Sequence, residues 1–94
     1  MNFLDAAILG RPGSFLGIRP EHIGVDPSDG DVTGWVEHVE TLGSETNVFV
    51  RTDHLGIVTV RLFGHRDLAP GDALSLRFDR RRELYFDKDG KRIR

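Results

Sequence analysis

Residues 45–53 read Glu-Thr-Asn-Val-Phe-Val-Arg-Thr-Asp, and this stretch decides the fold class of the chain. Its side chains alternate with a period of two, which is the spacing of a β-strand with two different faces. One face carries Thr46, Val48 and Val50, and the other carries Asn47, Phe49 and Arg51. The β-branched and aromatic content of the stretch also favours a strand over a helix.

Five other stretches have the same character, being short, apolar and bounded by turn residues. They are Phe15–Arg19, Val32–Leu42, Gly56–Phe63, Ala73–Phe78 and Leu84–Phe86. In the longest of them Val39 falls out of register with Val36, so we expect a bulge near Glu37–His38.

Turn residues separate these strands. Leu42–Glu45 is short enough to close an antiparallel hairpin, and Ala69–Asp72 contains the Pro-Gly pair of a tight turn. No window of helical length keeps an apolar stripe free of Gly and Pro, so helix is a minor component. The residues alone therefore predict an all-β domain, either a small barrel or a sandwich.

Composition limits the size and environment of the domain. The chain has 94 residues, which is one domain with a thin core, and its net charge of −2 steers it toward neither nucleic acid nor anionic lipid. It has no cysteine, which fits a reducing compartment. The first residues lack the positive region of a signal peptide, and no apolar run could span a membrane. We expect a soluble chain.

Catalytic motifs are missing from the sequence. There is no GxxxxGK[ST] phosphate loop, and residues 10–14, Gly-Arg-Pro-Gly-Ser, are interpreted as a turn. No HExxH motif occurs, and the histidines are too widely spaced for a local metal motif. They are His22, His38, His54 and His65. Asp87–Gly90 opens like a calcium loop but lacks the later ligands, so it is interpreted as a hairpin turn. We predict no catalytic, cofactor or metal residue.

Two further features have competing interpretations. Trp35 is the single tryptophan, and it belongs either to the core or to an exposed partner surface. Arg80–Arg82 lies between two predicted strands and is interpreted as a solvated loop. Because it is the only basic cluster in the sequence, we predict no binding to nucleic acid.

Residues 17–22, Gly-Ile-Arg-Pro-Glu-His, resemble a signature of the accessory domain that follows the nucleotide-binding domain in maltose-type ABC importer ATPases. Three other strings occur in the same order as in that family, the transport-associated OB (TOBE) domain. They are residues 34–46 (GWVEHVETLGSET), residues 70–76 (PGDALSL) and residues 86–93 (FDKDGKRI). The opening Met1-Asn2-Phe3 also resembles the family.

The resemblance implies an OB-like barrel of five to seven short antiparallel strands with little helix. It implies a non-catalytic accessory or regulatory domain of an importer for sugars or polyols. The implied partners are the ATPase domain and permease, a second copy of the chain and a regulatory protein, with no direct insertion into the membrane. The implied location is cytoplasmic, on the inner face of the plasma membrane. ATP and Mg would bind only to the nucleotide-binding domain, which this sequence lacks.

The same resemblance divides the chain into a lead segment, residues 1–14, and an OB-like accessory domain, residues 15–94. The lead segment is shorter than in the family. A related branch of the family binds molybdate, so a free-standing binder of small oxyanions is the alternative function. The sequence contains no matching cluster of Ser and Lys for an oxyanion.

The residues of the family signatures supply the candidate interface. Gly17 lies in a predicted strand, where a missing side chain indicates a close approach of another group. The interface or regulatory candidates are Arg19, Glu21, His22, Trp35, Gly43, Glu45 and Thr46. We expect Arg19 and Glu21 to project to one side of an extended segment, and Glu45 and Thr46 to bond the backbone of the turn beside Gly43.

Self-association is the last expectation. Phe3, Leu4, Ile8 and Leu9 are apolar and precede the strand-rich part, where they have no obvious place in the barrel. Unpaired strand edges readily pair with another chain, and a two-fold dimer is the commonest closed arrangement. We therefore predict a homodimer in which Met1–Leu9 packs on, or swaps into, the neighbour.

Overall fold

The computed structural model describes residues 1–26, 30–64 and 66–93, so His65 lies outside the described residues. These residues form eight strands and two short 3-10 turns, and the described ranges contain no α-helix. The strands are β1 (Asn2–Asp5), β2 (Phe15–Ile18), β3 (Ile23–Asp26), β4 (Val32–Leu42), β5 (Glu45–Thr52), β6 (Ile57–Phe63), β7 (Ala73–Phe78) and β8 (Leu84–Phe86). The 3-10 turns are Pro20–His22 and Arg80–Arg82.

The strands make two antiparallel sheets. The first has three strands in the order β1-β2-β8, and the second has five in the order β3-β7-β4-β5-β6. The edge strand β6 lies against β3 and the Pro20–His22 turn, which brings the two ends of the larger sheet together. The prediction of an all-β, OB-like barrel with little helix is confirmed.

The predicted number of strands, five to seven, is too low, because the described residues already form eight. All six strands predicted from the sequence are present, and β1 and β3 are the two that were missed. Each has four residues of which only two are large and apolar, Phe3 and Leu4 in β1 and Ile23 and Val25 in β3, so neither carries a clear strand pattern. Their strand conformation comes from pairing with longer or better-defined neighbours, β1 with β2 and β3 with β7.

The beginning of the chain is part of the barrel. β1 pairs along its whole length with β2, and Leu4 and Ala6 are buried in the core. The side chain of Asn2 exchanges two hydrogen bonds with the backbone of Thr59 in β6, at 2.8 and 2.9 Å, and so ties the small sheet to the large one. The expectation that Leu4 has no place inside the barrel is therefore wrong. The division at residue 14 stays a prediction.

The β4–β5 hairpin has the irregularity that the sequence predicted. The register shifts between Val36 and His38, which is the expected bulge, and it lets the apolar side chains on both sides of it face the barrel. At the tip, Gly43 has a φ of 59°, a conformation that costs a side-chain-bearing residue energy and glycine almost none.

The core lies between the two sheets and is built from aliphatic side chains. Its large, fully buried aliphatic members are Leu16, Ile18, Ile23, Val48, Val50, Val58, Val60 and Leu76. Each such side chain stabilises the fold by about 1.5–3 kcal/mol relative to exposure. The alternation in β5 and β6 follows from this burial, because every second residue of each strand points into the core.

Candidate functional site

The segment from Arg19 to His22 changes direction sharply after β2. Arg19 is extended, with φ −75° and ψ 147°, and Pro20–His22 then forms a 3-10 turn. Proline suits the first position of this turn because its φ is already fixed near the required value. In this turn the side chains no longer alternate between two faces as they do in an extended chain. No ion pair joins Arg19 to Glu21 among the described residues.

Glu21 lies in a positive electrostatic environment. A hydrogen bond with its own backbone is the main cause that lowers the pKa of this carboxyl below its ordinary value. Burial, the second-largest cause, raises this pKa, and the charges of His22, Arg61 and Arg19 each lower it by a smaller amount. The carboxylate is therefore held in its charged form mainly by this backbone hydrogen bond, with smaller contributions from the neighbouring cationic side chains.

Thr46, which follows the turn before β5, stabilises the barrel and is not part of an exposed binding surface. Thr46 is only 1% exposed, and its hydroxyl donates a hydrogen bond to the carbonyl of Gly64 at 2.9 Å. This bond joins β5 to the end of β6, so the expectation that Thr46 bonds its own turn is wrong. Glu45 lies 3.6 Å from Arg61 of β6 in an ion pair, while Gly43 projects at the exposed tip.

Arg61 brings the two predicted segments together. It lines an open groove of about 580 Å³ with Glu21 and His22, and its other neighbour is Glu45. Trp35 lies elsewhere, half-buried in β4 and lining an open depression with Arg51. The structure therefore groups Glu21, His22 and Glu45, but not Trp35 or the hairpin tip at Gly43.

The groove is strongly basic, which the sequence analysis missed. Its cationic lining residues are Arg61, Arg66, Arg77, Arg80 and Arg81. A second groove of about 200 Å³ adjoins it, shares His22 and Arg81 with it, and adds Arg19 and Arg82. These arginines come from β6, β7, the loop after β6, the second 3-10 turn and the residue that precedes the first one, so no local motif marks them. The Arg80–Arg82 run was the one signal in the sequence.

A buried ion pair ties the lead loop to the end of the barrel. The side chain of Glu83 is fully buried, and Arg11 donates to it with Nε at 2.8 Å and with Nη2 at 3.3 Å. Arg11 also donates to the carbonyl of Leu9 at 2.8 Å and pairs with Asp31 at 3.4 Å. The hydroxyl of Tyr85 donates to Glu83 at 2.8 Å. Both charges of the Arg11–Glu83 pair are thus bonded on several sides.

The comparisons with known proteins decide the family. A sequence model of the TOBE domain matches residues 16–86. The chain belongs to the TOBE domain family. This TOBE domain is 33% identical over 81 residues to the maltose/maltodextrin import ATP-binding protein MalK of Photobacterium profundum, over 84% of the chain and 22% of the relative. It is 42% identical over 65 residues to the Fe(3+) ions import ATP-binding protein FbpC 1 of Rhodococcus jostii, over 64% of the chain and 19% of the relative.

The family assignment confirms the resemblance that the signature strings indicated. A TOBE domain is a non-catalytic accessory domain, and both relatives are named as ATP-binding proteins of importers. The chain spans about a fifth of the length of each relative. The matched region contains β3 to β8 and all of β2 except its first residue, and β1 lies outside it.

The Asp87–Gly90 segment is a turn, as predicted. Asp87 accepts hydrogen bonds from the backbone N–H groups of Asp89 and Lys91, both at 2.9 Å, and Gly90 has a φ of 83°. In residues 1–26, 30–64 and 66–93 no three His, Asp or Glu side chains converge as possible metal ligands. Nor does that part of the chain contain a helix long and apolar enough to cross a membrane.

The Tyr85 hydroxyl gives a spectroscopic test of the buried ion pair. Burial, followed by the hydrogen bond to Glu83, raises the pKa of Tyr85 above that of free tyrosine. Because this is the only tyrosine in the chain, we expect its ultraviolet titration to have a higher midpoint in the folded domain than in denaturant. Because the pKa of Tyr85 is higher in the folded domain, its protonated hydroxyl stabilises the fold fully below the unfolded-state pKa of about 10. This stabilisation is lost as the pH rises through the folded-state pKa. Equal midpoints would contradict the bond.

Proposed function

We propose that the chain is the accessory domain of the ATP-binding subunit of an ABC importer for sugars or polyols. The observation that carries the proposal is the match to the maltose/maltodextrin import ATP-binding protein, which extends over 84% of the chain. The match to an Fe(3+) import ATP-binding protein covers 64% of the chain at higher identity, so ferric iron is the second candidate cargo.

The proposal gives the domain a role in contacts and not in chemistry. ATP and Mg would bind to the nucleotide-binding domain of the subunit, and that domain would engage the permease. The TOBE domain would lie beside the nucleotide-binding domain, on the cytoplasmic face of the membrane. Its exposed surfaces would hold the subunit to its copy or to a regulatory protein.

A chimera tests this proposal. In the Photobacterium profundum relative, the region that the chain matches is replaced by the chain itself. We expect two differently tagged copies of the chimera to co-purify with each other in an amount similar to two copies of the unaltered subunit, because the TOBE domain would hold the subunit to its copy. The control replaces the same region with an unrelated β-domain of similar size. If the two copies of the chimera co-purify no better than two copies of this control, the proposed function is wrong.

The exposed face of the three-stranded sheet supports the homodimer proposal. Phe3 is 63% exposed, Phe15 is 42% exposed, and the ring of Phe3 packs edge-on against Phe86 at 5.7 Å. Gly17 lies beneath them, and a Cβ there would approach Phe86 to 2.8 Å and the Met1 sulfur to 3.0 Å, which is the close approach predicted for this glycine. A second copy that packed on this face would cover its apolar side chains.

The dimer proposal predicts a change of oligomeric state. We expect sedimentation equilibrium to show a dimer for the chain and a monomer for the Phe3→Ser/Phe15→Ser variant, since serine removes the apolar contact area. Leu42→Ser/Ile57→Ser is the matched control, because both residues are exposed on the other sheet. Point changes are sharper than truncation, which would remove β1 from its sheet. A monomeric wild-type chain, or a dimer that survives in the Phe3→Ser/Phe15→Ser variant, would contradict the proposal.

A further inference from the structure

The two adjoining basic grooves concentrate much of the positive charge of the chain. Seven of its 13 lysine and arginine residues line them, although the chain as a whole has a net charge of −2. The acidic residues that line the grooves are Glu21 and Asp79. This asymmetry gives a local positive field that the net charge conceals.

The arginines of the grooves are not fully occupied within the domain. Arg61 and Arg77 pair with Glu45 and Asp26 at 3.6 and 3.1 Å, and these partly exposed pairs are weak in water. No carboxylate within the described residues lies at ion-pair distance from Arg19, Arg66 or Arg82. A ligand could therefore engage these three guanidinium groups without breaking an internal ion pair.

The grooves lie where the barrel is least covered. The larger one follows the junction between β3 and the end of β6, and Phe63 beside it is 62% exposed. His22 stands between the two grooves, and its Nδ1 is buried without a hydrogen-bond partner among the described residues. Both features indicate a surface that is incomplete in the isolated domain.

We propose that these grooves are the docking surface for an acidic segment of a partner protein. Guanidinium groups bind carboxylates with paired hydrogen bonds, and the spread of the arginines over two grooves fits an extended chain with several carboxylates. Both grooves are open, whereas a small-molecule site encloses most of its ligand. Their concave shape does not fit a flat bilayer.

The proposal goes beyond the importer role and does not depend on it. The grooves are present in the chain alone, so binding can be measured without a permease or a nucleotide-binding domain. Failure of the chimera would leave this proposal standing, and failure of the binding experiment would leave the importer role standing.

The test uses fluorescence anisotropy with a labelled peptide of alternating glutamate and serine. We expect the full chain to bind it at low salt, to bind the glutamine analogue at least tenfold more weakly, and to lose affinity as salt screens the charges. The Arg19→Gln/Arg66→Gln/Arg82→Gln variant should bind at least tenfold more weakly than wild type. It removes three positive charges and no ion pair among the described residues.

The control variant is Arg51→Gln/Lys88→Gln/Lys91→Gln, which changes the net charge equally at positions outside both grooves. It should keep most of the affinity. Equal weakening in both variants, or no binding at low salt, would overturn the proposal. So would tighter binding of a single-stranded oligonucleotide or of anionic vesicles, or a rise in melting temperature with molybdate or sulfate alone.

Discussion

Replacement of Arg11 by methionine is expected to lower the free energy of unfolding by about 3–5 kcal/mol, the usual cost of leaving a buried charge unpaired. The side chain of Glu83 is fully buried, and Arg11 supplies two hydrogen bonds to it. Methionine keeps much of the length and apolar contact of arginine but cannot donate. The carboxylate then retains only Tyr85 and the more distant Arg80, 3.8 Å away, as partners among the described residues.

Urea denaturation followed by far-ultraviolet circular dichroism measures this effect. Arg51→Met is the matched control, because Arg51 pairs with Glu37 at 3.4 Å with both side chains more than half exposed. Such surface pairs contribute about 0–1 kcal/mol. If the two variants lose similar stability, the Arg11–Glu83 pair is not the anchor that the structure indicates. The Arg11→Met/Glu83→Leu double variant should recover part of the loss, since it removes both charges.

Leu76→Ala is expected to cost about 2–5 kcal/mol, the range for a large-to-small change in a packed core. Leu76 is fully buried in β7, which lies between β3 and β4 in the larger sheet. A cavity there would loosen two strand pairings at once. Leu42→Ala is the control of identical chemistry, because Leu42 is 55% exposed at the end of β4, and surface changes usually stay within about 0.5 kcal/mol. Equal losses in the two variants would show that Leu76 is not a core residue.

The fold could be predicted where each strand carried its own signal. In β5 the alternation from Glu45 to Thr52 is a property of adjacent residues, and so is the bulge that follows Val36 in β4. β1 and β3 gave no such signal. Their four residues become strands only because β2 and β7 offer unpaired backbone groups beside them. Pairing of this kind depends on tertiary contacts that local patterns do not contain.

The candidate site was predictable only where its residues lie within a local sequence signature. The family signatures led to Glu21, His22 and Glu45, which the structure groups around Arg61. The other arginines of the grooves were missed because they are distant in sequence and converge only through the barrel. Thr46 shows the opposite case. Its place in a signature suggested an interface, yet it is buried and bonds the backbone of Gly64.

The claim that the chain serves as the accessory domain of an importer ATPase is tested most directly by ATP hydrolysis. The chimera with the Photobacterium profundum subunit is reconstituted with its permease, and the hydrolysis rate is measured with and without maltodextrin. The account predicts a substrate-stimulated rate similar to that of the unaltered subunit. A rate that matches the version carrying the unrelated β-domain, with no stimulation by maltodextrin, would contradict it.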